Sequence, residues 1–346
     1  MTWEKSMKRL TKIAVTGVAI VGMAAASFAG EKVRMATIAP GSSAYLVMTT
    51  MASSVNGAQD KYDITVDATG AATKHMIEAA QGKLDIVMAS PAIMDFMANG
   101  TAMYGSLPNA PELRENLSLL FWFPYGAYHT IVYADSGINS LQDIKGKRVF
   151  LGPPGGGAYN TAAGWIKATT GFEAGTDYEA VKASWGTALQ GFQDRQFDVY
   201  INGGIPPFPQ VEQLALTSNL RILGLTKANA DVASVSGGGI QAATTALGRS
   251  MDVIPAGIYG NSVQSDGDVY TVGSLVGVVA RNDMSEDAVY EITKSFWESL
   301  PEIRKTAPYM NAVNLDTAFS ADNVKLHKGA LKYYQQLGVR IPAALQ

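Results

Sequence analysis

A glycine-rich turn between an apolar segment and an amphipathic one is well suited to bind a ligand; it reads "VFLGPPGGGAYNTAAGW", residues 149–165. Its three consecutive glycines, 155–157, let the backbone approach a ligand closely and point successive amide groups at it. A nucleotide-binding P-loop needs Lys and then Ser or Thr after its last glycine, whereas Ala158 and Tyr159 stand there. The dinucleotide pattern G-x-G-x-x-G fails too, because Asn160 occupies the place of its third glycine. The turn therefore predicts an anion site that is not a nucleotide site.

Other loops that lead from a strand into a helix carry groups of the same kind. Hydroxyls and backbone amides at a helix N-terminus suit an anion, although a serine there serves equally well as an ordinary helix cap. His75 adds an imidazole, and a single histidine is more often structural than a ligand contact. These loops are "APGSSAY" (39–45), "TGAATKH" (69–75), "ASPAIM" (89–94) and "INGGIPPFP" (201–209).

Motifs for catalysis and for metal binding are missing from the sequence. It contains neither the G-x-S-x-G turn of a serine hydrolase nor the H-E-x-x-H pair of a zinc protease. The three histidines, His75, His129 and His327, fall in unrelated elements, and there is no cysteine. We therefore expect a protein that is not an enzyme, with no cofactor and no metal.

The alternation of short apolar strands with helical segments predicts an α/β fold in two lobes. One β-α-β-α-β unit spans 32–90, and a second unit over 146–225 has the same layout extended by one more helix and strand. Such units form parallel sheets with right-handed crossovers. Two longer apolar strands, 127–136 and 269–281, are expected to cross from one lobe to the other. In open parallel sheets a ligand binds beyond the carboxyl ends of the strands. The sequence thus predicts a clam shell, with one lobe made of 30–133 plus 272–346 and the other of 134–271.

The first 29 residues have the features of a secretory signal peptide. A basic stretch (7–12) precedes an apolar stretch (13–26) and a small-x-small site, which predicts cleavage after Ala29. The alternative is a membrane anchor, but the apolar stretch is shorter than the roughly 20 residues that a spanning helix needs. Because the chain lacks cysteine, a lipid anchor at the cleavage site and disulfides are excluded. We expect a periplasmic, soluble mature chain.

The charge balance argues against nucleic acid as a partner. The 346 residues carry a formal net charge of −3, with acidic and basic side chains scattered along the chain. A nucleic-acid-binding domain would show a basic stripe instead. We expect no nucleic-acid partner and a monomeric chain that does not insert into a membrane.

Two long segments resemble the TAXI-type solute receptors of TRAP transporters. They are "SGINSLQDIKGKRVFLGPPGGGAYNTA" (136–162) and 254–298, which contains "IPAGIYG" and "VYTVGSLVGVVARNDMSEDAVYEITKSFWE". The resemblance implies a two-lobed (class II) periplasmic binding protein that captures a small solute and delivers it to a sodium-coupled TRAP permease. It also implies a carboxylate ligand, such as an amino acid or a 2-oxo or dicarboxylic acid.

The resemblance also implies which residues contact the ligand. Gly156 stands where a serine is usual and His75 where an asparagine is usual, which suggests a less polar pocket and a ligand affinity that depends on the charge of His75. Carried over by position, the ligand-binding residues are Gly41, Ser42, Ser43, Tyr45, Thr69, Gly70, His75, Ser90, Gly155, Gly156, Gly157, Ala158, Tyr159, Asn202, Gly203 and Gly204.

Other functions fit the same architecture. The chain could serve an ABC importer, with a ligand such as a sulfonate, or act as the sensory ligand-binding subunit of a receptor. An exported enzyme is the remaining class, and it lacks a catalytic constellation in the sequence.

Overall fold

A computed structural model describes residues 30–230 and 249–346 of the chain. Within these residues, eleven strands form one mixed sheet flanked by helices. The α/β class predicted from the sequence is therefore confirmed. The predicted signal peptide lies outside the described residues.

The first lobe is built on three parallel strands in the order β2-β1-β3. All four residues of β3 are buried, as expected for a strand with helices on both faces. In α1 the buried Val47, Met51 and Val55 repeat at helical spacing and form one apolar face. The elements are β1 (Glu31–Ala36), α1 (Ser43–Ala58), β2 (Tyr62–Asp67), α2 (Ala72–Ala80), β3 (Ile86–Ala89), α3 (Pro91–Ala98) and α4 (Ala110–Arg114).

Two long strands, β4 (Leu117–Tyr133) and β11 (Val269–Arg281), cross between the lobes. The first part of β4 pairs with the end of β11, and from Ala127 onward β4 pairs with strands of the second lobe. The sequence predicts the first crossing strand over 127–136, whereas the strand begins at Leu117 and ends at Tyr133. The first half of β4 was not predicted, because Pro124 and Gly126 are residue types that are common in turns. In the structure, a register shift in the pairing of β4 with β11 accommodates both residues within the strand.

The second lobe repeats the layout of the first. Its β5 pairs in parallel with both β6 and β7, while β8 pairs in parallel with β10. The elements are β5 (Arg148–Phe150), α5 (Gly157–Thr170), β6 (Glu179–Ala180), α6 (Trp185–Gln193), β7 (Val199–Gly204), α7 (Pro209–Ala215), β8 (Leu220–Leu223), α8 (Lys227–Ala230), β9 (Ser250–Ile254) and β10 (Val263–Gln264).

Three further helices complete the described chain: α9 (Glu286–Thr306), α10 (Leu315–Ala318) and α11 (Lys328–Gln336). The sequence pattern over 323–338 predicts a helix, but α11 starts only after His327. The preceding residues extend along β4 instead, where the amide of Leu119 donates to the carbonyl of Lys325 and that of His327 to the carbonyl of Leu119.

Asp85 ties three strands of the first lobe together. Its carboxylate accepts hydrogen bonds from Arg34 Nε at 2.9 Å and from Arg281 Nε at 2.8 Å, and it also accepts the backbone amide of Arg34. Burial alone would raise the pKa of Asp85, but the hydrogen bonds from the two arginines have the larger effect and lower this pKa to about 2. The unfolded carboxyl titrates near pH ~3.9, so this stabilisation is present above that pH and is lost as the pH falls towards 2.

We expect Asp85→Asn to lower the free energy of unfolding by ~2 kcal/mol at pH 7, since it leaves Arg34 without its charged partner and Arg281 with the exposed Asp283 alone. Urea unfolding measures the effect, and Asp63→Asn is the matched control. Asp63 pairs with Lys32 on an exposed part of the same sheet, where removal should change the free energy by less than ~1 kcal/mol. Equal losses in the two variants would contradict a structural role specific to Asp85.

Candidate functional site

A cavity of about 120 Å³ lies between the two lobes and against both crossing strands. The loops at the carboxyl ends of β1, β3 and β5 contribute Ile38, Ser90 and Pro153 to its wall. This is the position expected for a ligand site in an α/β sheet. A cavity of ~150 Å³ holds a molecule of the size of benzene, so this cavity suits a small organic ligand.

Apolar side chains form most of the wall. The first lobe supplies Ile38, Met88 and Ile93, and the second lobe supplies Trp185. Leu275 of the crossing strand β11 also lines the cavity. Trp185 is held edge-on against the Phe150 ring, with the ring centroids 5.3 Å apart. Aliphatic and aromatic side chains of this kind bind the apolar body of a ligand.

The polar part of the wall is centred on Arg249. Its Nε donates to Thr161 Oγ1 at 2.9 Å, which orients the guanidinium from α5. Burial lowers the pKa of Arg249, yet an arginine stays protonated at neutral pH. Burial also raises the pKa of the Tyr128 hydroxyl, which keeps it neutral and able to donate. A cation and hydroxyl donors beside apolar side chains suit an anion with an apolar body.

The structure brings some of the predicted ligand residues to the cavity. Ser90 is buried and caps α3 by accepting the amide of Ile93 at 3.3 Å. Gly156 is the N-cap residue of α5 and has no side chain to cap it, so amides at this helix end are available to a ligand. The predicted residues that line the cavity are Gly70, Ser90, Gly156, Gly157 and Ala158.

The other predicted ligand residues do not line the cavity. Ser42 caps α1 by accepting the amide of Tyr45, and the side-chain amide of Asn202 donates to Gln210 Oε1 at 2.9 Å. Their role as ligand contacts stays a prediction. The set consists of Gly41, Ser42, Ser43, Tyr45, Thr69, His75, Gly155, Tyr159, Asn202, Gly203 and Gly204.

Ser43 and Gly41 instead join the two lobes. Ser43 Oγ accepts the amide of Ile205 at 2.9 Å in the buried space between them. Gly41 lies against Gln210 so closely that a Cβ would stand 2.8 Å from Nε2 of that side chain. The lobes therefore touch each other beside the cavity.

Several cavity residues are not among those predicted from the sequence, and they include Tyr125, Tyr128, Ser274 and Arg249. Three of them belong to the crossing strands, which were treated only as connections. Arg249 stands at the edge of β9 with no recognisable motif around it. The alternation of side chains along a strand would have indicated which crossing-strand residues face one side, but no local signal marks Arg249.

His75 packs beneath the loop that it was expected to present to the ligand. Its side chain is buried, and its Nε2 would lie 3.0 Å from a Cβ on Gly70. Burial lowers its pKa below the ordinary 6.5. The imidazole is thus a neutral support for a loop that lines the cavity.

We expect the affinity for an acid ligand to change by less than about threefold between pH 6.5 and 8, because His75 stays neutral there. Below pH 6.5 the unfolded chain takes up a proton first, so stability, rather than affinity, should fall. Calorimetry across this range, on the wild-type protein and on His75→Gln, measures both. An affinity that rises tenfold on acidification and loses that rise in His75→Gln would contradict this role.

The described residues were also searched for a metal site and for membrane-spanning helices. No group of three or more His, Asp or Glu side chains in 30–230 and 249–346 is arranged to hold a metal ion. None of the helices in these ranges is both long and apolar enough to cross a membrane.

The sequence matches the model of the NMT1-like family over residues 35–338. Among solved structures, it is similar to the alkanesulfonate-binding protein SsuA of Xanthomonas axonopodis pv. citri bound to MOPS. The two share 16% identity over 91% of this chain and 81% of the other, with a TM-score of 0.41.

Two TRAP-transporter proteins are similar at the same level. A periplasmic solute-binding protein of Ralstonia eutropha with bound (S)-2-acetolactate shares 10% identity over 90% of this chain and 86% of the other, with a TM-score of 0.44. The ectoine-binding protein of the TeaABC transporter of Halomonas elongata shares 14% identity over 88% of this chain and 90% of the other, also with a TM-score of 0.44. These TM-scores are low, so no conclusion about this chain follows from them.

Proposed function

This chain belongs to the NMT1-like family, and we propose that it is a periplasmic solute-binding protein that captures a small organic acid and delivers it to a TRAP permease. The lobes would be residues 30–133 plus 272–346 and residues 134–271. The exported chain would lose its first 29 residues, act without a cofactor and catalyse no reaction.

The observation that carries this proposal is the position of Arg249 in the cavity between the lobes. A guanidinium in a mostly apolar cavity forms strong, charge-assisted hydrogen bonds with a carboxylate. The amides at the N-terminus of α5, beside Gly156, add a second source of positive potential. The ligand would therefore meet donors of the second lobe and the apolar wall of the first.

The two-sided wall also gives a mechanism for delivery. A ligand that contacts Ile93 of the first lobe and Gly156 of the second gains the full set of contacts only when the lobes are together. Such a ligand binds the closed state better and shifts the population towards it. The Ser43–Ile205 hydrogen bond joins the lobes in the arrangement described here. A permease that recognises the closed surface would then bind the loaded protein.

The likeness of 136–162 and 254–298 to TAXI-type receptors supports a TRAP permease as the partner. An ABC importer is the alternative, because a guanidinium binds a sulfonate as well as it binds a carboxylate. Genes for a multispanning TRAP permease beside this one would support the first, whereas an ATPase gene would support the second.

A thermal-shift screen of small acids, followed by calorimetry, tests the proposal. A ligand at 100 times its Kd should stabilise the protein by ~2.7 kcal/mol. Each acid is paired with its neutral amide, which keeps the shape and removes the charge. Binding of acids with rejection of their amides supports an anion receptor. Equal binding of acid and amide, or turnover of a bound acid, would overturn it.

A further inference from the structure

Tyr125 lines the cavity from the crossing strand β4, and its ring packs directly on Gly203 of the neighbouring strand β7. A Cβ built on Gly203 would lie 2.3 Å from Cε1 and 2.4 Å from Cδ1 of the Tyr125 ring. Carbon atoms in contact stand about 3.5–4.0 Å apart, so a residue larger than glycine would displace the ring by roughly 1 Å or more. Glycine at position 203 therefore allows the Tyr125 ring to lie where it does.

A chain of buried hydrogen bonds holds the hydroxyl of Tyr125. Burial raises the pKa of this hydroxyl, which keeps it protonated, and it donates to Asn202 Oδ1 at 3.3 Å. The Asn202 amide is oriented in turn, because its Nδ2 donates to Gln210 Oε1 at 2.9 Å. Tyr200 donates to the same Gln210 oxygen at 3.2 Å. All four side chains are buried, where hydrogen bonds are stronger than in water. The Tyr125 side chain is thus held at its ring edge and at its hydroxyl.

Asn202 and Gly203 affect the cavity through the ring that they hold. Neither is among the described residues that line the cavity, whereas Tyr125 and Tyr128 both are. The Tyr128 ring also covers Gly203, because a Cβ on Gly203 would stand 3.1 Å from Cε2 of that ring. Both rings thus cover Gly203 and face the cavity, so a displacement away from Gly203 moves them into the space of the cavity.

We propose that Asn202 and Gly203 are positioning residues for Tyr125, and that the Tyr125 ring limits the size of the ligand on the side of the crossing strands. This inference rests on the proposed function and adds a determinant of ligand size to it. It also assigns a role to "INGG" (201–204), which was predicted to contact the ligand directly. A larger ligand needs space close to the Tyr125 ring, whereas a ligand of few atoms does not.

Three carboxylates of increasing size, acetate, 3-methylbutanoate and phenylacetate, measure this limit by calorimetry at pH 7 on the full mature chain. In Gly203→Ala the displaced rings narrow the cavity, so we expect the two larger acids to bind at least about tenfold more weakly and acetate less than about threefold more weakly. In Tyr125→Leu the ring is removed, so the binding of phenylacetate should strengthen at least about tenfold relative to acetate. The second variant gives a result even where Gly203→Ala does not fold.

Gly277→Ala is the matched control. Gly277 of β11 lies against the ring of Trp122, which also belongs to β4, and a Cβ on Gly277 would stand 2.3 Å from Cε3 of that ring. Neither of these two residues is among the described residues that line the cavity. Urea unfolding should show a loss of stability in both alanine variants, but the relative affinities for the three acids should stay within about threefold of the wild type in Gly277→Ala. Equal weakening of all three acids by Gly203→Ala, or the same change of selectivity in Gly277→Ala, would overturn the inference.

A crystal structure of Gly203→Ala tests the positioning without any ligand. We expect the Tyr125 ring to be displaced into the cavity. A ring that keeps its place, with β7 moved away from it instead, would contradict the positioning role. A folded wild-type protein that binds none of the acids in the screen would overturn the proposed function, while the place of the Tyr125 ring in the variant would still decide whether Gly203 positions it.

Discussion

Arg249→Met is expected to weaken the binding of an acid ligand by about 100-fold or more, because it removes the cation from a cavity whose other described lining residues are apolar or neutral. Methionine keeps an unbranched chain of similar length, so the wall retains most of its packing. The bond to Thr161 is lost as well, but the threonine hydroxyl keeps its own bond to the carbonyl oxygen of Gly157 at 2.9 Å. Arg249 has a further interaction within the protein, so affinity and stability are measured separately.

Calorimetry with the tightest acid from the screen measures this loss, and urea unfolding checks that the variant is folded. Arg148→Met is the matched control: it removes the same charge from the second lobe, at an exposed side chain that does not line the cavity. Its affinity should stay within about threefold of the wild type. A similar loss in both variants would show that the net charge of the lobe, rather than Arg249, attracts the acid.

The fold was largely predictable because its signals are local. The period-two pattern of β2, the buried run of β3 and the apolar face of α1 each lie within a few residues of sequence. The elements that were placed wrongly depend on distant partners. β4 continues through Pro124 because β11 accepts the irregular register, and α11 starts late because residues before it pair with β4.

The cavity residues that could be predicted from the sequence are those in loops that directly follow a strand. Gly156 and Ser90 were found because parallel strands direct their following loops to one edge. Ser43 was found as a candidate for the same reason, but the contact it makes is with Ile205, in the other lobe. Arg249 could not be found, because it reaches the cavity through the arrangement of both lobes, which no short stretch of sequence encodes.

Gly126 occupies the point where β4 passes from the first lobe to the second. Its φ of +101° is a conformation that side-chain-bearing residues rarely adopt. A Cβ at this position would lie 2.2 Å from the carbonyl oxygen of Gly204 and 2.5 Å from the amide of Ile205. Both contacts are with backbone, so no side chain can move aside. Tyr125, the residue before it, lines the cavity, so the close approach also positions part of the site.

Gly126→Ala is therefore expected to lower the free energy of unfolding by ~3–5 kcal/mol, the sum of backbone strain and displacement of a packed strand. Gly137→Ala is the matched control, since Gly137 also has a positive φ but nothing within 4 Å of a Cβ. Strain alone should cost that variant ~1 kcal/mol. Urea unfolding compares the two. Equal losses would mean that the backbone conformation, and not the contact with Gly204, requires glycine where the chain crosses between the lobes.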